Sequence, residues 1–168
     1  KLALKQQLLK KDSLQSLNVT LNNDYIQENF RNVERVYNIE FNRDWNIETT
    51  QGSQLFTTLG LNYQLDSTTT ASYRLEHLEF DDFYKGNRHE IAGTYQDSLW
   101  KARFSGSVLD TKSTGQESKF NRINADVLRR INSYYIGTRL ENEDNQQRLF
   151  ATDQLTGLSQ KFTGYEVY

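Results

Sequence analysis

The chain of 168 residues contains no cysteine, no proline and no methionine. Without cysteine it can form no disulfide framework, no thiol nucleophile and no thiolate metal site, which suits an oxidising envelope compartment. No apolar run approaches the roughly 18–20 residues of a transmembrane helix, and residues 1–7 lack the hydrophobic core of a signal peptide. We therefore expect any export signal to have been removed already. The formal net charge of −2 argues against a nucleic-acid partner.

The residues that the chain does contain favour strands over helices. Hydrophobic residues make up 36% of the chain, aromatic residues 12% and charged residues 25%. The apolar content is too low for a helical membrane protein, and the aromatic content is too high for a disordered tail. The length corresponds to one domain or to a piece of one.

Apolar and polar residues alternate with period two from about residue 33 onward, which predicts β-strands. The longest example covers residues 33–48, where Val33 and Trp45 share one face while Glu34 and Glu40 share the other. The same alternation recurs at residues 55–65, 71–76, 90–95 and 100–108. A helix would mix the two sets of side chains.

Three tight turns connect the predicted strands, at residues 67–69, 97–98 and 132–133. The two-residue turns at 97–98 and 132–133 reverse the parity of the pattern, which keeps the apolar residues of both strands on one face. The three-residue turn at 67–69 keeps the parity. The directly opposed pairs that these turns predict include Leu65 with Ala71, Tyr95 with Trp100, and Asp126 with Arg139.

Long polar connections are predicted at about residues 80–88, 110–118 and 143–158, so that short and long connections alternate. An antiparallel up-and-down meander of about nine or ten strands follows, with short turns on one side and long loops on the other. This layout is typical of an outer-membrane β-barrel. The structure of residues 1–13 is left undecided, because residues 11–13 fit a tight turn while the first ten residues also fit a frayed helix. The connections within the first 50 residues are assigned to neither side of the sheet.

Aromatic residues on the apolar face lie close to the predicted tight turns. They are Tyr63, Tyr73, Tyr95, Trp100 and Tyr134. A second aromatic group, Phe80, Phe83, Tyr84, Phe104 and Phe120, lies toward the long connections. Two aromatic bands that flank an aliphatic belt indicate a lipid-facing surface. The alternative is that these side chains cap the core of a water-soluble β-sandwich.

With these Asn-, Tyr- and Asp-rich strands, which lack proline, and an aromatic last residue, Tyr168, the sequence resembles bacterial outer-membrane β-barrel proteins of the Bacteroidota type. The resemblance implies that residues 1–168 form a single β-barrel domain or a segment of a larger barrel. It also implies the outer membrane of a Gram-negative bacterium as the location and its lipid as a partner.

The polar face of the predicted sheet carries charges that would line the lumen of such a barrel. The candidate lumen residues are Glu34, Glu40, Arg74, Glu90, Lys101, Arg103, Asp126, Arg130 and Arg139. The bases concentrate in residues 101–139 and the acids in residues 34–48, which predicts opposite potentials across the interior. The alternative is that these groups form ion pairs that brace the wall, as Asp126 with Arg139 would.

The sequence therefore predicts a porin-like channel or transport wall with a charged lumen. One alternative is a scaffold barrel in an envelope complex, which would bind other envelope proteins through its long loops. Another is a soluble β-sheet binding module. An enzyme is not expected, because only His77 and His89 are available as a general base and neither lies in a nucleophile motif. No metal and no cofactor are expected.

Overall fold

The computed structural model describes residues 2–10, 15–28, 45–47, 52–157 and 159–168. Within these ranges the chain forms nine antiparallel strands in one sheet. The strands are β1 (Leu2–Lys10), β2 (Ser16–Ile26), β3 (Gln54–Gln64), β4 (Thr69–Phe80), β5 (Tyr84–Gln96), β6 (Trp100–Ser113), β7 (Gln116–Ile131), β8 (Tyr134–Leu149) and β9 (Gln160–Val167). The prediction of an all-β, antiparallel up-and-down meander is confirmed.

Each strand pairs with its neighbours along the chain, in the order β1 to β9. Among the described residues β1 pairs only with β2, and β9 pairs only with β8, so the sheet is not closed. Because antiparallel neighbours alternate in direction and the number of strands is odd, β1 and β9 run the same way. In the described sheet these two strands are the edges.

The connections divide between two ends of the sheet. The short-turn end carries the connections at residues 65–68, 97–99 and 132–133. The opposite end carries those at residues 81–83 and 114–115, the longer connection that begins at residue 150, and the ends of β2 and β3 at Ile26 and Gln54. The division by side is therefore as predicted for the chain after residue 54.

Two of the predicted long connections are wrong, because most of residues 80–88 and 110–118 belong to strands. Asn87 pairs with Asp110, which pairs in turn with Lys119, and only residues 81–83 and 114–115 are connections. Most side chains of these segments are polar, a composition that is typical of loops. The ladder nevertheless continues, because backbone hydrogen bonds between strands do not require apolar side chains. The third long connection begins at residue 150 rather than 143.

The turn at residues 132–133 has the predicted register, with Asp126 opposite Arg139. The turn at residues 97–98 is displaced, since Tyr95 pairs with Ala102 and not with Trp100. The Asp97 carboxylate accepts backbone N–H groups of Leu99 at 2.8 Å and of Trp100 at 2.6 Å. Asp97 therefore begins the turn instead of occupying its centre.

The turn after β3 shows the same displacement. Ala71 pairs with Tyr63 and not with Leu65, because the Asp66 carboxylate accepts the backbone N–H groups of Thr68 and Thr69, each at 2.8 Å. Both registers are shifted by two residues. A shift of two leaves every side chain on its predicted face, since side chains alternate with period two.

The predicted strand at residues 33–48 is wrong where the structure describes it, and residues 33–44 and 48 lie outside the described residues. Trp45, Asn46 and Ile47 belong to no strand, and β2 pairs directly with β3. Trp45 is 1% exposed and Ile47 8% exposed, so both side chains are buried against the sheet. Residues 2–10 form β1, so a helix there is also wrong, and the predicted turn at residues 11–13 lies outside the described residues.

The core of the described fold is a hydrophobic cluster on one face of the sheet, near the opposite end. Its members are Trp45, Ile47, Leu78, Phe80, Tyr84, Leu109 and Phe120. The predicted second aromatic band is therefore wrong for Phe80, Tyr84 and Phe120, which are buried on the polar face. Their burial follows from Trp45 and Ile47, which cover them.

Candidate functional site

The two faces of the sheet differ in chemistry, and directly paired residues show which side chains share a face. One row of pairs runs through Leu61, Tyr73, Ile91, Gly106 and Ile123. A neighbouring row runs through Tyr63, Ala71, Gly93, Phe104, Ala125, Leu140 and Tyr165. These rows define the apolar face, and all five predicted interface aromatics, Tyr63, Tyr73, Tyr95, Trp100 and Tyr134, lie on it.

The apolar face is exposed across the middle of the sheet. The exposed fractions are 50% for Ile91, 45% for Phe104 and 45% for Ile123. No described residue packs over these side chains as Trp45 packs over the other face. Large contiguous apolar surface of this kind marks a contact with a protein, a membrane or another apolar partner.

Polar partners accompany two of the aromatics at the short-turn end of this face. The Arg129 guanidinium stacks 5.0 Å from the ring of Trp100, and the Tyr95 hydroxyl donates a hydrogen bond of 2.7 Å to Asp97. The apolar rows stop before the opposite end of the sheet. There the same face carries the polar pairs His77–Asn87 and Asp110–Lys119. Each aromatic thus has an apolar side toward the belt and a polar side away from it.

The polar face carries all seven described members of the predicted lumen set. They are Arg74, Glu90, Lys101, Arg103, Asp126, Arg130 and Arg139. Glu34 and Glu40 lie outside the described residues. The predicted placement of the seven charges on one face therefore agrees with the register of the sheet.

The ion pair predicted between Asp126 and Arg139 is present, at 3.7 Å. Arg139 also lies 3.6 Å from Glu166, and the Tyr168 hydroxyl donates a hydrogen bond of 2.8 Å to Asp126. This network ties the last residues of the chain to β7 and β8. Ion pairs therefore do brace the sheet at this position, although exposed pairs of this kind contribute little stability.

Ion pairs also occur farther toward the opposite end. Glu76 lies 3.7 Å from Arg88 and 3.9 Å from Arg74, and Arg122 lies 2.7 Å from Glu143. In these pairs the acid and the base lie on the same strand or on neighbouring strands. The predicted opposition of potentials across the interior stays a prediction, because its acidic half depends on residues 34–44.

Sequence reasoning missed the segment Trp45–Ile47, which lies across the polar face. The Tyr84 hydroxyl donates a hydrogen bond of 2.5 Å to the Trp45 carbonyl, and the Arg88 guanidinium lies 4.7 Å from the Trp45 ring. Trp45 also meets the ring of Phe56 edge-on, at 5.9 Å between centroids. We call residues 45–47 the covering segment.

Asn46 fixes the covering segment to the far strands. Its amide nitrogen donates to Ser118 at 2.8 Å and to Asn145 at 3.1 Å, and its carbonyl oxygen accepts from Gln147 at 3.1 Å. Its φ of 50° is in the left-handed region, which Asn tolerates better than most residues. The contacts of the covering segment therefore extend across the sheet from Phe56 on β3 to Gln147 on β8.

One sequence signal could have indicated this cluster. At residues 77–78 the apolar positions of β4 change parity, so that Leu78 and Phe80 join the polar face. A β-bulge would explain the change, but pairing runs without interruption through His77 and Leu78. The parity change instead marks the place where the polar face acquires an apolar cover.

The two histidines take part in local hydrogen bonds on the apolar face. The distance from His89 Nδ1 to the Tyr73 hydroxyl is 2.7 Å, and that from His77 Nδ1 to Asn87 Oδ1 is 2.8 Å. Among the described residues no three His, Asp or Glu side chains are placed to hold a metal ion.

The two faces of the sheet are the main evidence for function, because comparisons with known proteins gave no match. No family model, no curated protein and no solved structure matches this chain. In the part of the chain that the structure describes, no helix has the length and apolar character to cross a membrane. A function must therefore be argued from the strands and their two surfaces.

Proposed function

We propose that this sheet forms part of the wall of an outer-membrane β-barrel and serves as a channel or transport wall with a charged lumen. The observation that carries the proposal is the exposed apolar belt on one face, with Arg, Lys, Asp and Glu side chains on the other. Lipid would contact the belt, and water would contact the charges.

The strand lengths support this proposal. Strands β2 to β8 contain 11 to 16 residues each, whereas strands of ordinary globular sheets contain about five or six. A tilted strand needs about 9–11 residues to cross a bilayer. A face that exposes Ile91, Phe104 and Ile123 to water is unfavourable, whereas the same face in lipid is satisfied.

A closed barrel would require a hydrogen-bonding partner for each of the two edge strands, β1 and β9. Strands β1 and β9 run in the same direction, so direct pairing between them would be parallel. Barrels of the bacterial outer membrane generally have an even number of antiparallel strands, and an unpaired edge in lipid leaves backbone groups without partners. We infer that the barrel is completed by an odd number of further strands between β9 and β1.

The proposed location is the outer membrane of a Gram-negative, Bacteroidota-type bacterium, with membrane lipid as the partner of the apolar face. In such barrels short turns generally face the periplasm. The short-turn end would then be periplasmic, and the end that carries the covering segment would be external.

A second candidate is a scaffold barrel in an envelope complex, and one observation favours it specifically. The covering segment and the buried cluster beneath it occupy the polar face near the opposite end, where an open channel would need water. A plugged lumen is expected of a scaffold. The connections at residues 27–53 and 150–159 would be its contact surfaces for other envelope proteins.

The first experiment asks whether the chain folds only with detergent. Circular dichroism would report the β-sheet, and a heat-dependent change in gel mobility would report a folded barrel. We expect both signals in micelles and neither in plain buffer. A stable soluble monomer in buffer would contradict the proposal and favour a β-sheet binding module. Conductance in planar bilayers would then separate a channel from a scaffold.

A further inference from the structure

Three cations on the polar face near the short-turn end form no ion pair with a described acid, although Arg103 lies directly opposite Asp126 in the sheet. Arg139 lies within ion-pair distance of Asp126 and Glu166. Lys101, Arg103 and Arg130, in contrast, have no ion pair with any described carboxylate. The Arg130 side chain donates only to the Asn132 carbonyl, at 3.1 Å. All three side chains are exposed.

These three cations are neighbours in the sheet. Lys101 and Arg103 are two residues apart on β6 and share a face, which separates their Cα atoms by about 7 Å. Lys101 pairs with Leu128, so Arg130 is its diagonal neighbour on β7, at roughly 7–8 Å. Arg103 pairs with Asp126, so Arg103 and Arg130 lie on opposite sides of Lys101, about 14 Å apart between Cα atoms. Lys101 lies between the two arginines and can share a small anion with either of them.

The other half of the polar face differs in this respect. Arg74 and Arg88 share Glu76, and Arg122 has Glu143, each within 4 Å. These cations nearer the opposite end are thus matched with acids, whereas nearer the short-turn end Arg139 is matched and Lys101, Arg103 and Arg130 are not. Unmatched positive charge attracts anions from solution and raises their local concentration.

A groove of about 340 Å³ adjoins the unmatched cations. Arg103 lines it together with Thr94, Ser105, Asn124 and Arg139, which offer hydroxyl, amide and guanidinium donors. Asp126 and Glu141 also line it, but the Asp126 carboxylate is already engaged by Arg139 and Tyr168. Paired guanidinium donors match the oxygens of a phosphate or carboxylate group.

We propose that Lys101, Arg103 and Arg130 form an anion site at the short-turn end and that the lumen admits small oxyanions in preference to cations. This inference rests on the proposed barrel wall and specifies its class of solute. Phosphate-bearing solutes are the best match, because each phosphate offers several acceptor oxygens to a guanidinium group.

Binding of inorganic pyrophosphate to the folded chain, measured by calorimetry, tests the site without requiring conductance. We expect the double variant Arg103→Gln/Arg130→Gln to weaken binding by about tenfold to a hundredfold, the cost of losing charge-assisted contacts. Arg129→Gln is the matched control, because Arg129 is adjacent in sequence but stacks on Trp100 on the apolar face. Heat-modified gel mobility would confirm that each variant folds.

Three binding results would overturn the anion site. They are no saturable binding to the unaltered chain, no effect of the double variant, and equal weakening by Arg129→Gln. Arg103→Lys, which keeps the charge, should restore part of the affinity. If that variant behaves like Arg103→Gln, the loss reflects local structure and the site is refuted.

A second measurement separates this inference from the proposed function. In planar bilayers with a potassium chloride gradient, we expect a reversal potential that indicates anion preference and moves toward cation preference in the double variant. Conductance with no preference and no pyrophosphate binding would overturn the anion site but support the channel. Pyrophosphate binding with no conductance would support the anion site as a binding site and overturn the channel.

Discussion

Trp45 and Trp100, the two tryptophans of the chain, lie on opposite faces of the same sheet. Trp45 is almost fully buried beneath Arg88 and against Phe56, whereas Trp100 is 38% exposed beside Arg129. The sheet therefore has one face closed in part by its own chain and another that lacks a cover in the described residues. The proposed barrel wall accounts for this asymmetry.

Replacement of Trp45 should destabilise the fold more than replacement of Trp100. Trp45→Ala leaves a cavity among Phe56, Leu78 and Tyr84 and removes a large buried surface. We expect a loss of about 3–5 kcal/mol in the free energy of unfolding. Urea titration of both variants under the same folding conditions measures the difference. An equal loss from Trp100→Ala would show that the covering segment does not form the core.

The sequence predicted the strands and their faces because period-two alternation does not depend on register. The sequence pattern did not predict the register after β3 and β5. Hydrogen bonds from backbone N–H groups to the Asp66 and Asp97 carboxylates determine where each turn begins. A displacement of two residues changes no face. The faces of Tyr95, Trp100 and Arg103 were therefore predicted correctly from an incorrect pairing.

The covering segment could not be predicted in this way. Asn46 bonds to Gln147, which is 101 residues farther along the chain, and local periodicity contains no information about such a contact. The alternation around Trp45 is also compatible with a strand. Its burial becomes understandable only once Leu78 and Leu109 are known to belong to one buried cluster on the polar face.

The corrected register after β5 can be tested with engineered cysteines, since the chain contains none. Tyr95→Cys with Ala102→Cys places two thiols on directly paired residues, about 5.5 Å apart between Cα atoms, and a disulfide should form. Tyr95→Cys with Trp100→Cys places them on diagonal neighbours, where it should not. Mobility on non-reducing gels after mild oxidation distinguishes the two pairs. A disulfide only in the second pair would refute the register.

The two Asp-initiated turns should make stability depend on pH. Hydrogen bonds from Thr68, its hydroxyl first, lower the pKa of Asp66 below 3.8, and those from the Tyr95 hydroxyl and the Trp100 and Leu99 amides lower that of Asp97. A lowered pKa contributes stability that is present above 3.8 and is lost as the pH falls through the lowered value.

We therefore expect the urea midpoint of the unaltered chain to fall more steeply from about pH 5 to about pH 3 than that of Asp66→Asn/Asp97→Asn. Urea titrations across this range provide the measurement. If both proteins lose stability in parallel, the two turns are not the source of the pH dependence.

Neighbouring residues on β7 allow a matched test of the lipid-facing surface. Ile123 lies on the apolar face and Asn124 on the polar face. Arginine near the middle of a lipid-facing strand costs about 2–4 kcal/mol, so Ile123→Arg should reduce folding into vesicles while Asn124→Arg has a smaller effect. Folding yield by gel mobility measures both. An Ile123→Arg variant that folds as well as the unaltered chain would contradict a lipid contact at Ile123.

The most direct test of the central claim uses the two tryptophans as reporters in vesicles that contain brominated lipid. Trp45→Phe leaves Trp100 as the emitter, and Trp100→Phe leaves Trp45. The proposed barrel wall predicts that brominated acyl chains quench Trp100 strongly and leave Trp45 largely unquenched. Quenching of Trp45 alone, or of neither residue in a chain that folds without lipid, would contradict the assignment of the apolar face to the membrane.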